Sequence, residues 1–431
     1  MEYLSSDKVA VIDLAAGEIS EDELSEELVE KRIGGAGVNA ALYEEHADGD
    51  PIVLGAGLLT GSLTPASSLA VMTAKSPLTG TLVHAPLTQY LGQELKYSGF
   101  DYLVIKGAAA EPSFLWIHDG IADVEPAGDL WGQDVWSAVR AVRQQMGDEL
   151  IQVLGAGPAA EKGSNLAQVM INQWASGDRF GLGKLMAGKN IKLIAVRGMG
   201  LLEIAEEEDF IVKALDMLGQ VKSGAWAGRQ GQGDLGASLG FDDYAAWLEP
   251  LVHRSHSSFN TPFAYNTFLF LDDDPATLQE SAQDEPGVLL GDPAAAGVLR
   301  AMGLTAAEAG AVIKACAKAG LDAVAVAKIS QAQGKASAAD IQAALDGIDG
   351  AVEGLSGPFS DWAPQGLASD AEAWKRRMAV AYVFGIDPIF ALMAPEIDEA
   401  GLVELAALGT GLEITQENLD AVVADLTRLG G

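Results

Sequence analysis

Two glycine-rich segments, a histidine pair and a lone cysteine are where this chain's residue types and spacings could support chemistry. Arg32-Ile33-Gly34-Gly35-Ala36-Gly37 carries little side-chain bulk, so its amides could approach an anionic ligand. The same glycines suit a tight turn in a packed domain, and on this segment alone the turn is preferred. Leu154-Gly155-Ala156-Gly157-Pro158-Ala159-Ala160 follows a β-branched run and matches the spacing G-x-G-x-x-A of a dinucleotide-binding turn. Pro158 interrupts it, and the next such run, 191–196, leads into Arg197-Gly198 without the acid that grips a ribose hydroxyl, which argues against NAD. His253 and His256 are three apart and would share one face of a helix, but no third ligand stands nearby, so a surface pair is expected rather than a metal site. No catalytic triad is expected either. Cys316 is the single cysteine, so neither an internal disulfide nor a thiolate-held cluster can be built from this chain. Its place in the helical pattern Ala311-Val312-Ile313-Lys314-Ala315-Cys316 suits a small buried filler.

Composition bounds what surrounds these residues. The 431 residues include 27 Lys and Arg against 61 Asp and Glu, a formal net charge of −34. That balance repels phosphate backbones and anionic lipid, which argues against nucleic acid and membrane partners. Acids recur along the chain, from Glu21-Asp22-Glu23 through Glu206-Glu207-Glu208-Asp209 to Asp272-Asp273-Asp274. Such an even spread fits a solvated surface adapted to high salt better than one steering patch, because salt shortens the range over which like charges repel. Apolar runs are far shorter than the roughly 20 residues of a membrane span. The first eight residues lack the basic-then-apolar pattern of a signal peptide, so a cytoplasmic protein is expected.

The elements that must position these residues divide the chain in two. Short β-branched runs at 9–14, 52–54, 102–105, 114–117, 151–154 and 191–196 predict strands, and Asp119-Gly120 predicts a hairpin between 114–118 and 121–124. Helices are predicted at 136–146 and 165–174. From about residue 204 alanine dominates, and start signals of the Ser/Thr-x-x-Glu type stand at Thr305 to Glu308 and Ser369 to Glu372. The glycine-rich stretch 223–234 suits a linker. No repeat at a fixed period is found. The expected fold is α+β: a β-rich mixed domain over 1–203, then an all-helical region over 204–431.

Taken together, several segments resemble the N-terminal domain of the aldehyde ferredoxin oxidoreductase family. They are Val11-Ile12-Asp13-Leu14 through Gly34-Gly35-Ala36-Gly37; Gly57-Leu58-Leu59-Thr60-Gly61; Lys75-Ser76-Pro77-Leu78-Thr79-Gly80; Glu94-Leu95-Lys96-Tyr97-Ser98-Gly99-Phe100-Asp101; Gly157-Pro158-Ala159-Ala160-Glu161; and Arg179-Phe180-Gly181-Leu182-Gly183-Lys184 continuing to Lys192. Six motifs in the family's order cover roughly residues 8–198. The resemblance implies a pair of pterins around tungsten, held between a β domain and helical domains, with a four-iron cluster relaying electrons to ferredoxin as aldehydes become acids.

Carried over residue by residue, the resemblance implies a much altered site. The family's cluster-linking arginine falls on Leu69, and two positions of its magnesium-binding loop fall on Pro86 and Thr88. Arg179 is kept from the second phosphate loop, but the glycine before it is Asp178, expected to turn negative charge toward a phosphate. The family's two Asp-x-x-Gly-Leu-Asp/Cys motifs correspond to Ala317-Lys318-Ala319-Gly320-Leu321-Asp322 and Tyr382-Val383-Phe384-Gly385-Ile386-Asp387, without their leading acids. Asp387 stands at the fourth cluster cysteine, and the C-x-x-C-x-x-x-C run is absent. Candidate cofactor-binding residues are therefore Arg179, Gly181, Lys75, Lys189, Gly320, Leu321, Asp322 and Gly385. The resemblance implies no iron–sulfur cluster, and no cofactor is expected. A non-catalytic partner is the preferred reading, as a homodimer or beside a partner oxidoreductase subunit. The alternative is a tungsten or molybdenum pterin enzyme that oxidises aldehydes to carboxylic acids.

Overall fold

The computed structural model of the protein describes residues 3–238, 240–271, 286–352, 357–359 and 370–428. The acids Asp272-Asp273-Asp274 and the start signal at Ser369 lie outside them.

Short β-branched runs bounded by glycine and turn residues form strands throughout the first two hundred residues. β1 (Lys8–Asp13), β2 (Glu18–Glu23), β3 (Ile52–Ala56), β4 (Ala70–Lys75), β5 (Leu82–Leu87) and β6 (Tyr102–Lys106) make a sheet of order β2-β1-β6-β3-β4-β5. β7 (Ser113–His118), β8 (Ile121–Pro126), β9 (Gln152–Ala156), β10 (Val169–Ile171), β11 (Trp174–Ala175) and β12 (Ile191–Arg197) make a second, of order β11-β10-β9-β12-β7-β8. Replacing each strand of the first sheet by the one six places later reproduces the second. In each, the first and last strands run parallel (β1 with β6, β7 with β12) and the other pairings are antiparallel. One supersecondary unit therefore occurs twice, a repetition of topology that no fixed sequence period betrays.

The predicted strands and the hairpin form, with Asp119 and Gly120 both at positive φ (45° and 78°) as a two-residue turn requires. The helix predicted over 165–174 does not: β10 and β11 run through it, joined at Asn172, itself at φ 54°. Val169, Met170 and Ile171 are buried against β9, and that pairing overrides the helix-favouring Leu-Ala-Gln stretch before them.

Helices α1 (Glu26–Arg32), α2 (Gly35–Glu45), α3 (Leu91–Tyr97), α4 (Val135–Met146), α5 (Pro158–Glu161) and α6 (Leu182–Gly188) connect the strands. Period-two alternation decides the layers. Ala10, Ile12, Ile52, Leu54, Leu103 and Ile105 share one buried cluster with Leu115, Ile117, Leu154, Ile194 and Val196, so the two sheets stack face to face. Val9, Val11, Val53, Val71 and Val104 point the other way, against Val38 and Leu42 of α2. Phe114, Val153 and Leu193 likewise meet Val135, Trp136 and Val142 of α4.

The second half is helix-rich, as its alanine content led one to expect. It comprises α7 (Glu207–Ser223), α8 (Gly231–Ser238), α9 (Tyr244–Leu248), α10 (Pro293–Ala301), α11 (Ala306–Ala319), α12 (Ala323–Ala332), α13 (Ala338–Ala344), α14 (Ala371–Phe384), α15 (Pro388–Met393), α16 (Glu399–Thr410) and α17 (Gln416–Arg428). It is not wholly helical: β13 (Val252–His256), β14 (Asn266–Phe270) and β15 (Gly287–Leu290) form an antiparallel sheet. Its two edge strands, the polar β13 and the four-residue β15, carry too little alternation to be seen in the sequence. The capping box at Thr305 and Glu308 forms, and Asp370 caps α14. Of the glycine-rich stretch, 224–230 connects α7 to α8 and the rest is helical.

The two units grip this half in the same way. Gly57, just past β3, lies against Gly385, where an added Cβ would stand 2.1 Å from the Gly385 Cα. Gly157, just past β9, lies against Gly320, whose own Cβ would stand 2.8 Å from the Gly157 Cα. Gly385 and Gly320 end α14 and α11 at φ 88° and 75°, a conformation that favours glycine. The amides of Leu69 and Gln168 donate to the carbonyls of Gly385 (3.0 Å) and Gly320 (2.9 Å), and those of Asp387 and Asp322 donate to Ala66 (2.8 Å) and Leu166 (2.9 Å). Gly57→Ala should therefore destabilise the chain by about 3 kcal/mol through overpacking, whereas Gly219→Ala on the exposed side of α7, where nothing lies within 4 Å, should stabilise it by about 0.5–1 kcal/mol. Urea unfolding midpoints check both.

Candidate functional site

Each Gly-x-Asp turn ends in a buried carboxylate that starts the next helix. Asp322 caps α12 by accepting from the amides of Val324 (2.9 Å) and Ala325 (3.0 Å), and its second oxygen accepts from Arg179 Nε at 3.3 Å. Asp387 caps α15 through the amide of Ile389 (3.0 Å) and accepts from the Tyr265 hydroxyl at 2.6 Å. Burial pushes the Asp387 carboxyl up to about 6, against the pull of the Tyr265 and Ile389 bonds. The leading positions of the two motifs hold Ala317 and the buried Tyr382.

Between these caps lies a cavity of about 160 Å³. β11, β14, β15, the second half of α11, the starts of α12 and α15 and the middle of α14 line it. Its lining includes Gln168, Trp174, Arg179, Asn266, Leu321 and Met378.

The loop before α6 differs from the expectation. Asp178 does not face the cavity with its charge. It is fully buried, and its two oxygens accept from the backbone amides of Phe180 (2.9 Å), Leu182 (3.3 Å), Val169 (3.0 Å) and Gly183 (3.2 Å). The side chain thus fills the amide nest of its own loop. Burial pushes this carboxyl up to about 6, while the four amides pull it down. The neighbouring loop closes on it: Gly177 donates to the Pro86 carbonyl at 3.3 Å, and a Cβ on Gly177 would stand 2.3 Å from the Pro86 ring. Thr88 lines the cavity and bonds the Tyr265 hydroxyl. Leu69 is buried at the Gly385 contact.

Of the predicted site residues, the fold brings Arg179, Leu321 and Asp322 to the cavity wall. Gly320 and Gly385 stand behind it in the glycine contacts. Gly181, at φ 75°, begins α6 beside Leu78. Lys75 is exposed at the end of β4, and Lys189 donates to the Gly107 carbonyl at 3.1 Å, so neither lines the cavity. The segment at Arg32 to Gly37 is a packed turn, with no room for a ligand at Gly35, whose added Cβ would stand 1.9 Å from the Tyr382 carbonyl oxygen. His253 and His256 lie on a bulged strand rather than a helix. The first ring packs on Phe270 and the second on Tyr90, and no cluster of three metal-binding side chains occurs among the described residues. Cys316 is fully buried filler. The spacing G-x-S-x-G does occur, at Gly236-Ala237-Ser238-Leu239-Gly240, and places Ser238 at the end of α8. Its hydroxyl donates to the Leu235 carbonyl at 2.6 Å, unlike a strand-to-helix elbow. Gln168, Trp174, Tyr265 and Asn266 line the cavity without having been singled out, since no local pattern marks them.

The family model for the aldehyde ferredoxin oxidoreductase N-terminal domain matches residues 9–198. The tungsten-containing aldehyde ferredoxin oxidoreductase of Pyrococcus abyssi is 33% identical over 229 residues, 51% of this chain and 38% of that one. The same-named protein of Pyrococcus furiosus is 31% identical over 225 residues, 50% and 37%. An aliphatic sulfonate oxidoreductase WOR-like subunit from Pyrococcus furiosus is 27% identical over 266 residues, 56% and 42%. Over residues 9–198, this chain is similar to the N-terminal domain of the aldehyde ferredoxin oxidoreductase family. The matched part spans less than half the length of these relatives. In fold, the whole chain resembles the active-site complex BamBC of benzoyl coenzyme A reductase in complex with 1,5-dienoyl-CoA, with a TM-score of 0.67 at 18% identity over 98% of this chain and 65% of that one.

Replacing Asp178 tests the nest. Asp178→Asn leaves an NH2 group facing amide donors and should cost about 2–3 kcal/mol in urea unfolding. The folded carboxyl near 6 lies above its ordinary 3.8, so between about pH 4 and pH 6 the folded chain keeps a proton that the unfolded chain has released. Its contribution to stability is therefore lost as pH rises through that window, and this part of the pH slope should vanish in Asp178→Asn.

Proposed function

We propose that this chain is a family member acting as a non-catalytic binding or assembly subunit, without a tungsten–pterin centre of its own, in the cytoplasm of a salt-adapted cell. The carrying observation is the Asp178 carboxylate in its four-amide nest. A phosphate at that loop would have to displace a buried side chain and break four hydrogen bonds, and a second anion beside the carboxylate would repel it. The contact of Pro86 with Gly177 narrows the same region, and the lone cysteine leaves no ligands for a four-iron cluster. The residues present therefore do not fit the family's cofactors. The WOR-like relative is named as a subunit and the fold neighbour as a complex, which supports a role beside another chain. That chain is a second copy or a longer oxidoreductase of the same family.

Protein purified from its own host in high salt, analysed for tungsten and molybdenum and for pterin fluorescence after oxidation, should contain far less than one metal per chain. Stoichiometric metal with pterin would restore the aldehyde-oxidising alternative and overturn this one. The net charge of −34 predicts a second outcome. Lowering salt from about 1 M to about 0.1 M lengthens the screening distance from about 3 Å to about 10 Å, so the Tm should fall by several degrees in thermal scans.

A further inference from the structure

Helix α7 has one apolar face that the fold uses and a second that it leaves in water. Phe210, Ala214, Met217 and Val221 are buried. They pack toward α16, where an added Cβ on Gly401 would stand 2.6 Å from the Met217 methyl and one on Gly409 3.2 Å from the Phe210 ring. On the far side Val212 and Leu215 are 68% and 57% exposed, and among the described residues no other helix leaves a large apolar side chain so open. At 3.6 residues per turn, Glu208, Val212, Leu215, Gly219 and Lys222 share one exposed stripe, with half-buried Ile211 beside it. Asp216 and Gln220, bonded to each other at 2.8 Å, stand on the polar flank. Met199 and Leu201 are more exposed still, but they lie on the connector before α7 and define no face.

The stripe is complementary to itself. When two α7 helices run antiparallel with Leu215 on the twofold axis, Glu208 and Lys222, each seven residues from it, oppose one another at both ends. Ile211 and Gly219, each four residues from it, do the same, and the open space around Gly219, with nothing within 4 Å of an added Cβ, leaves room for the bulkier side chain. A parallel pairing would set Glu208 beside Glu208 and align the helix dipoles, both unfavourable. Contacts exchanged in this reciprocal way are what a twofold interface requires. The helix of 17 residues is about 25 Å long and about 10 Å across. Its stripe alone is smaller than the roughly 800 Å² per partner of a standard interface, so the pairing is reversible.

We infer that α7 is the surface through which two copies of this chain pair, antiparallel about Leu215. The inference rests on the assembly reading above and fixes its partner as a second copy. Metal and pterin analysis, which tests that reading, does not report on oligomeric state, so either can fail without the other.

Sedimentation of the full chain in about 1 M salt, where repulsion between copies reaches only about 3 Å, tests it. The mean mass should rise from monomer toward dimer between about 10 and 200 µM, as suits an interface below standard size. At about 0.1 M salt it should fall back toward monomer, because two chains of charge −34 then repel over about 10 Å. Leu215→Glu should weaken the pairing at least about tenfold, since each copy loses a buried leucine and gains a facing charge. Its Tm in dilute solution should stay unchanged, because the side chain is exposed in the single chain. Leu215→Cys should give a disulfide-linked dimer on mild oxidation, whereas Gln220→Cys on the polar flank should not. A mixture of Glu208→Cys with Lys222→Cys should cross-link faster than either alone, and Cys316 is fully buried and adds no background. The inference is overturned if the chain stays monomeric throughout, if Leu215→Glu leaves association unchanged, if Gln220→Cys links as readily as Leu215→Cys, or if the mixture links no faster than its components.

Discussion

Close approach of backbone to backbone, Gly57 to Gly385 and Gly157 to Gly320, is the constraint on which the rest of this structure depends. Only residues without a Cβ let the strand ends meet the helix ends at these distances, and only a left-handed residue lets α11 and α14 stop there. Once the contacts form, the carbonyls of Gly320 and Gly385 receive amides from the sheets, and the aspartates two residues later stand where the next helices begin. The cavity between those caps is a consequence of this geometry. Its walls come from segments far apart in the chain that the two glycine contacts bring together.

Several residues of the family-like motifs make contacts within the scaffold. Glu161 accepts from Lys192 at 2.6 Å, with the lysine side chain 1% exposed, and Lys192 also donates to the Gln133 carbonyl. Burying such a pair is favourable only when the remaining donors and acceptors are also met, and here the Gly132 amide supplies Glu161 as well. Lys96 donates to the carbonyls of Leu4 and Leu58, tying the first residues to the loop after β3. The Ser76 hydroxyl donates to the Phe180 carbonyl and links the two loops that end β4 and begin α6. Asp178 extends the same pattern, since a carboxylate supplied by the chain satisfies amides that would otherwise need an external anion.

Much of the architecture was legible because it rests on local physics. Val9, Val11, Val53 and Val104 alternate with residues facing the opposite layer, and this spacing marks strands whatever they pack against. Asp119-Gly120 and Thr305 with Glu308 mark a turn and a helix start through hydrogen bonds spanning only a few residues. Where pairing over long distance opposed local preference, the reading failed. Residues 165–174 look helical until β9 claims Val169 to Ile171, and the strands β13 to β15 are too short or too polar to announce themselves.

The site divides along the same line. Side-chain types alone determined that the given sequence has one cysteine, that its acids outnumber its bases by 61 to 27, and that Arg179 lies in a segment shared with a known family, because these follow from which residues are present. Whether the Asp178 carboxylate turns toward a ligand or into its own loop, and whether Lys75 and Lys189 reach the cavity, were decided only by the tertiary structure. Those outcomes depend on where four amides, a proline ring and two glycine contacts lie in space, and no spacing along a chain encodes such a position.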